Sequence, residues 1–373
     1  QKEEMIKGLI DNNQHLPKQG TKDWLKNRKI GGSDMAAVIG GSHANLVRDR
    51  IFPELNMFTS NVYTLWGKLF EHVSILYVEK KYDSIVYDDI GSLEGKIPGT
   101  SYSLDGITVI KKNDMYYIVL LEFKNPLVSK PMGKIPDNYF PQIKSGLAHI
   151  DIAELGLFVN SSYRRCAIAN FGDNPLYTVS DEKNEIFTNN PIAIGYIAIR
   201  KTQKNNNPSI DYGTNQDMDL YQITANILER FNNNDGYIYD MILLGNTRNA
   251  DMILLGNNNT RNADTNNTNS AINEMKVEID NLTNNPIVEG IMCFKLFACD
   301  EIWVDKDTKY LDQFVSPVEK INRICDTLKK IESDEERVIK YGEIFNIDHA
   351  KLQKMKERVL NSRQDIYKIL DEM

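Results

Sequence analysis

Between residues 103 and 124 the chain runs SLDGITVIKKNDMYYIVLLEFK, and three of these side chains could do chemistry together. Two runs rich in β-branched and aromatic residues, 107–111 and 115–123, flank Asn113 and Asp114, residue types that close a hairpin with a two-residue loop. With Lys112 paired to Met115, the register carried outward sets Asp105 directly opposite Glu122. Facing Cβ atoms in such a pair stand about 4.5–5.5 Å apart, where like charges are unfavourable unless something positive lies between them. Strand alternation puts Glu122 and Lys124 on one face and Phe123 on the other, so Asp105, Glu122 and Lys124 converge. Oxygen ligands with open water positions suit Mg²⁺, which lowers the pKa of a bound water and makes it a nucleophile. A lysine beside it can steer that water and stabilise charge developing on a phosphate. The same letters also fit a solvated hairpin of alternating charges. Against that stands the apolar run 117–121, which marks a strand buried on both faces and makes a charged end costly.

Three further elements are expected to position this end of the hairpin. Residues 21–29 suggest a short helix with Trp24 and Arg28 one turn apart, followed by Ile30-Gly31-Gly32-Ser33-Asp34 and a helical run to Gly40. The glycines permit close backbone approach, and Ser33 is a good N-cap. An anion such as phosphate could rest on that helix start, with the Ser33 hydroxyl and the Arg28 guanidinium beside it; the alternative is an ordinary capped helix with Arg28 at the surface. Asp34 would repel the anion unless it points away. A second helix covers 63–80, with Leu65, Trp66, Leu69, Phe70, Val73, Leu76 and Tyr77 as its buried face and Gly67, Glu71 and Ser74 as a stripe on the other side. Periodicity alone makes Glu71 a solvated helical glutamate. A third helix starts near Asn138, with Pro141 in its first turn, and runs through Gln142, Lys144 and His149. His43, His72 and His149 are read as satisfied polar residues rather than ligands.

Composition bounds the rest. With 373 residues, 41% of them hydrophobic, the chain can bury a sizeable core. Its apolar stretches fall short of the roughly 20 residues of a spanning helix, and no signal-peptide pattern opens it, which points to the cytosol or nucleus rather than a membrane or secretion. Four cysteines without a CxxC pair suggest neither a disulfide framework nor structural zinc. A net charge of −8 excludes a non-specific wrapper of nucleic acid but leaves room for a local basic channel. Residues 1–200 are expected to form a mixed α/β core. The span 201–285 is Asn-rich, with a near-tandem repeat of Asp-Met-Ile-Leu-Leu-Gly-Asn from Asp240 and again from Asp251, and is expected to be an expanded surface loop. A β-rich return over 286–317 and a tail of two amphipathic helices over 318–373 complete the chain.

Taken in order, Trp24-x3-Arg28-x2-Gly31-Gly32-Ser33-Asp34, Trp66-Gly67-Lys68-x2-Glu71, Ser103-x-Asp105-Gly106, Glu122-x-Lys124-x-Pro126 and Gln142 resemble the lambda exonuclease and YqaJ-type viral recombinase nucleases of the PD-(D/E)xK superfamily. The resemblance spans about 24–150. It implies an α/β restriction-endonuclease-like core, a central mixed sheet flanked by helices, and Mg²⁺-dependent, processive 5′ to 3′ digestion of duplex DNA that leaves 3′ single strands for recombination or repair. It further implies two Mg²⁺ per site, replaceable by Mn²⁺, with Asp105, Glu122 and the Phe123 carbonyl as ligands, Glu71 near the second metal, Lys124 as the catalytic lysine and Gln142 orienting the site. Arg28, Ser33, Ser103 and Lys130 resemble the pocket for a terminal 5′-phosphate. The sequence departs from the family where Lys130 replaces an arginine, which turns a bidentate contact into a point charge, and where Leu104 replaces the proline of the motif. The implied partners are duplex DNA ends, a single-strand annealing protein and a ring-shaped homotrimer, in an infected host cell. An endonuclease of the same superfamily, a non-catalytic DNA-binding recombination scaffold, or a carboxylate-rich metal-binding or structural protein are the other readings.

Overall fold

The Asn113-Asp114 turn sets the register on which the site depends. Both residues adopt positive φ, 50° and 60°, as the primed two-residue turns require. In the computed structural model, which describes residues 1–17, 29–56, 62–166, 191–200, 237–244 and 265–371, β4 (Gly106–Lys112) and β5 (Met115–Lys124) pair antiparallel from Lys112↔Met115 to Gly106↔Leu121. The hairpin is therefore the one expected, but the ladder stops one residue short of Asp105, which lies just outside the strand.

β5 continues through a crossover helix, residues Phe140–His149, to the parallel neighbour β6 (Leu155–Cys166). Parallel neighbours need such a crossover, and the helix supplies it from one face. The chain elements before it are α1 (Lys2–Asn13), α2 (Met35–Ile39), α3 (His43–Ile51), α4 (Val62–Tyr82), β1 (Val86–Tyr87) and the short pair β2 (Leu93–Glu94) and β3 (Ser101–Tyr102); the crossover helix is α5. β7 (Ala193–Arg200), β8 (Tyr237–Leu243), α6 (Thr265–Thr283) and β9 (Val288–Asp305) follow, then α7 (Asp312–Lys329), α8 (Asp334–Phe345) and α9 (His349–Asp371). Among the described residues the main sheet has seven strands in the order β1-β4-β5-β6-β9-β7-β8, antiparallel except for β5 and β6. This is the mixed α/β class expected.

Alternation along β5 divides the core. Val119, Leu121 and Phe123 pack on α4 through Leu69, Phe70 and Val73, while Ile118 and Leu120 pack on α5 through Ile143 and Leu147. Burying each such side chain contributes about 1.5–3 kcal/mol. The apolar face of α4 is as expected, and the opposite stripe is open beside Gly67, but Ser74 is buried, donating to Asn125 Oδ1 at 2.7 Å with Tyr163 Oη at 3.1 Å. A hydroxyl can enter the interior there because both partners satisfy it.

Two expectations about the later chain need correction. The span 201–285 is not wholly loop. β8 carries the first copy of the repeat, Asp240 to Leu243, paired with β7, and α6 buries Met275 and Ile279. Low-complexity letters around them hid an edge strand whose apolar residues are reused by the sheet. The second copy, from Asp251, lies outside the described residues. The tail holds three helices, beginning at Asp312. They are integral to the fold: Phe314, Val318 and Ile321 of α7 and Tyr341 of α8 share one apolar cluster with Ile30, Met35 and Val38.

Gly at Asp114 removes the Cβ that disfavours positive φ, while the ion pair lost, Lys111 Nζ to Asp114 Oδ1 at 3.1 Å, is exposed and weak. Asp114→Gly is therefore expected to raise stability by about 0.5–1 kcal/mol, seen as a higher urea midpoint. A lower midpoint would contradict this turn.

Candidate active site

The end of β5 carries the decisive geometry. Glu122 is fully buried, and Lys124, two residues on, projects from the same face with Nζ 2.5 Å from Glu122 Oε1. The other carboxylate oxygen, Oε2, lies 3.3 Å from the Tyr102 hydroxyl, which donates to it. Lys124 also sits over the Tyr139 ring, 4.9 Å from its centroid, so its charge is held from the α5 side as well. Asp105 reaches the same place by a different route. Its Oδ2 accepts from the Phe123 N–H at 2.8 Å, which fixes the carboxylate beside Glu122 although its backbone has left the ladder. The Phe123 ring packs into the opposite core.

Glu71 approaches from α4, on the other side of the sheet. Burial, then the neighbouring Asp105 and Glu122 charges, with Asp88 adding to them, push its carboxyl from 4.5 up to about 8, against the pull of Lys124. Glu71 is thus coupled to the site rather than a solvated helical glutamate. Burial and Asp105 likewise push Glu122 up to about 7, although Lys124 and Tyr102 work the other way. Burial disfavours the Lys124 ammonium, but Glu122 and Asp105 outweigh it and hold the lysine charged.

Several carboxylates and one lysine therefore share an environment with more negative charge than it can hold unprotonated. Oxygen donors with surplus negative charge fit a hard divalent cation. As they stand, the side chains are engaged with Lys124, Tyr102 and backbone, and among the described residues no three His, Cys, Asp or Glu groups are arranged to hold a metal ion.

Of the expected anion site, Trp24 and Arg28 lie outside the described residues. The glycine turn is present as a short 3₁₀ turn, Gly32–Asp34, but Ser33 is not its cap. Gly31 occupies the cap position, and Asp34 Oδ2 accepts the Gly31 N–H at 2.9 Å. A carboxylate three residues on reaches the first free amide where a serine one residue earlier in the turn cannot. Ser33 is exposed, Ser103 half-buried, and Lys130 exposed in the segment after β5. Gly32 brings Gln142 to the turn, since a Cβ there would lie 3.5 Å from Gln142 Cγ. The turn is pinned to the approach to Asp105 by Ser101 N–H to Ile30 O at 2.9 Å and Ile30 N–H to Gly99 O at 3.0 Å. Behind it, Asn322 of α7 joins Arg50 to the Pro98 carbonyl. Leu104, at the position of the missing proline, is buried with Tyr102 and Ile107.

Sequence reasoning missed Tyr102. Its position two residues before Leu104 carries no motif; only the fold places its hydroxyl on Glu122. Of the histidines, His43 Nε2 meets the Val38 carbonyl at 2.9 Å, His72 stacks near Tyr239, and His149 Nδ1 accepts the Lys96 N–H at 3.0 Å.

No protein-family profile matches the chain. It is similar to a protein of African swine fever virus: 30% identical over 225 residues in strain Badajoz 1971 Vero-adapted, and 29% over 225 in isolate Tick/South Africa/Pretoriuskop Pr4/1996. Each of these two matches covers 53% of this chain and 65% of the relative, so the chain spans just under two thirds of their length. With the same viral protein in isolate Tick/Malawi/Lil 20-1/1983 the identity is 28% over 241 residues, 57% of this chain and 69% of that protein. Among solved structures, an alkaline exonuclease (LHK-Exo) from Laribacter hongkongensis matches 38% of this chain and 74% of its own, at 20% identity and a TM-score of 0.30. The same enzyme in complex with dAMP matches with equal identity and score. At that score the superposition carries no argument from backbone to activity. Among the described residues no helix is long and apolar enough to cross a membrane.

Glu71 and Glu122 keep protons in the folded chain at pH values where the unfolded chain, at the ordinary 4.5, has released them. The folded state then binds more protons, so stability falls as pH rises. The thermal midpoint of the wild type is expected to decline from about pH 5 to about pH 8, through the two raised values. Glu71→Gln should flatten the upper part of that decline; an unchanged slope would remove Glu71 from the coupled set.

Proposed function

We propose that this chain is a metal-dependent deoxyribonuclease that digests duplex DNA from an end, 5′ to 3′, leaving 3′ single strands for recombination or repair. The observation that carries the reading is the buried Glu122 carboxylate with Lys124 on one oxygen and Asp105 anchored on the adjacent Phe123 amide. An isolated buried carboxylate is expensive, and a surplus of them around one lysine is a poor way to stabilise a fold. The resemblance of the ordered motifs from Trp24 to Gln142 adds strand polarity and end preference to this reading.

Asp105, Glu122 and the Phe123 carbonyl are the groups that would hold Mg²⁺ or Mn²⁺, with Glu71 beside a second ion. When bound, the metal supplies Lewis acidity toward the phosphodiester and an acidified water. The chain's own groups do the rest. Lys124 is charged and directed along the Glu122 face, where it can orient an attacking water and offset charge on the phosphate. Tyr139 and Tyr102 keep Lys124 and Glu122 from turning away. Gln142, whose side chain lies against the glycine turn, is proposed to help orient the site. Arg28, Ser33, Ser103 and Lys130 are proposed to receive the terminal 5′-phosphate. A Lys130 ammonium offers a point charge there, so discrimination between phosphorylated and unphosphorylated ends should be modest. A single-strand annealing protein and a ring-shaped trimer belong to the same proposal.

The test is digestion of linear duplex DNA labelled at either the 5′ or the 3′ end, with a covalently closed circle as control, in Mg²⁺. Loss of 5′ label with the circle spared is expected, and Glu122→Ala or Lys124→Ala should lower the rate by at least about a thousandfold. Nicking of the circle would reassign the chain as an endonuclease. Absence of any Mg²⁺-dependent hydrolysis would leave a DNA-binding scaffold as the better account.

A further inference from the structure

Tyr102 is contacted by three parts of the site at once. Its hydroxyl lies 3.3 Å from Glu122 Oε2. Its ring is closed upon by two glycines: a Cβ on Gly32 would fall 2.4 Å from Tyr102 Cε2, and one on Gly146 would fall 2.2 Å from Cζ. No real Cβ survives such a distance, so both backbones touch the ring because they are glycine. Gly32 belongs to the turn before α2, and Gly146 lies one helical turn after Gln142 in α5. The ring is fully buried, and α5 and the turn press on it from two sides. Burial, followed by the nearby Glu122 and Asp105 charges, holds the phenol protonated and hence a donor.

We propose that Tyr102 is a positioning residue that ties the glycine turn to the Glu122 carboxylate. The hydroxyl fixes the direction of Oε2 while the neighbouring ammonium takes Oε1, and the ring acts as a spacer that sets how far the turn and Gln142 stand from that carboxylate. This rests on the nuclease reading, in which one phosphate is received near the turn and another is cleaved at Glu122. The spacing between them is then set by a rigid aromatic ring in direct contact with both sites. Packed between two glycine backbones and fully buried, the ring is held in place from both sides.

The experiment compares the full-length wild type with Tyr102→Phe and Tyr102→Leu. Three quantities are read: the thermal midpoint, kcat and KM on linear duplex DNA in saturating Mg²⁺, and Mn²⁺ binding to the protein alone, without DNA, by calorimetric titration. Tyr102→Phe keeps the ring and loses the donor. Its midpoint should fall by no more than about a few degrees, as one hydrogen bond to the buried carboxylate is lost while the Lys124 pairing stays; kcat should fall about tenfold with KM within about twofold, and the half-saturating Mn²⁺ concentration should rise severalfold. Tyr102→Leu removes the spacer as well and should raise KM on top of the loss in kcat. Wild-type kcat and Mn²⁺ binding in Tyr102→Phe would overturn the role of the hydroxyl, and equal KM in the Phe and Leu variants would overturn that of the ring. Should the wild type hydrolyse nothing, the nuclease reading fails, and the Mn²⁺ titration still decides whether Tyr102 directs Glu122: a shift in Tyr102→Phe sustains it and no shift overturns it.

Discussion

A carboxylate in the interior of a protein must be matched, and Glu122 is matched on both oxygens by groups that come from different parts of the chain. Lys124 is local, two residues along the same strand, and strand geometry alone brings it to the same face. Tyr102 is not local, because it reaches Glu122 only when the segment before β4 folds back over the strand end. Each further carboxylate then adds to an electrostatic cost that the matching groups only partly offset. Asp105 and Glu71 add to the charges that raise the proton affinity of the set.

That constraint explains where the glycines fall. The turn before α2 and the middle of α5 must both come within van der Waals reach of the Tyr102 ring, and any Cβ at Gly32 or Gly146 would prevent it. The C-terminal helices serve the same arrangement from behind. α7 and α8 contribute Phe314, Ile321 and Tyr341 to the cluster that holds Ile30, Met35 and Val38, and the Tyr341 hydroxyl donates to the Ala44 carbonyl. The tail is therefore the wall against which the turn is set. A chain ending before Asp312 would leave that apolar cluster facing water.

The distal half of the sheet carries less of the site and more of the support. β9 is long enough to pair with β6 along one edge and β7 along the other, with a register shift between Ser162 and Tyr163. Through it the Asn-rich span is joined to the core, since β8 adds at the edge beyond β7 and α6 covers β9. An edge strand drawn from a repeated segment needs only apolar residues to set against its neighbour, and the consecutive Met241, Ile242 and Leu243 provide them.

What the sequence by itself determined was short-range pattern around the site. The two-residue turn, the hairpin register, the common face of Glu122 and Lys124, the apolar stripe of α4 and the start of α5 near Pro141 all follow from neighbours within a few residues, and all are present. Local letters also pointed to the glycine turn, though not to its cap, because the turn starts at Gly31, with Asp34 accepting its N–H, and only the backbone path settles where the turn begins. The tertiary structure decided what depends on residues far apart in the chain. Glu71 looks solvated until the sheet end approaches α4, Ser74 looks exposed until Asn125 and Tyr163 meet it, and Tyr102 has no mark at all until Gly32, Gly146 and Glu122 surround it. Burial is a property of the assembled core, and a single chain segment cannot state which of its polar groups will be taken inside.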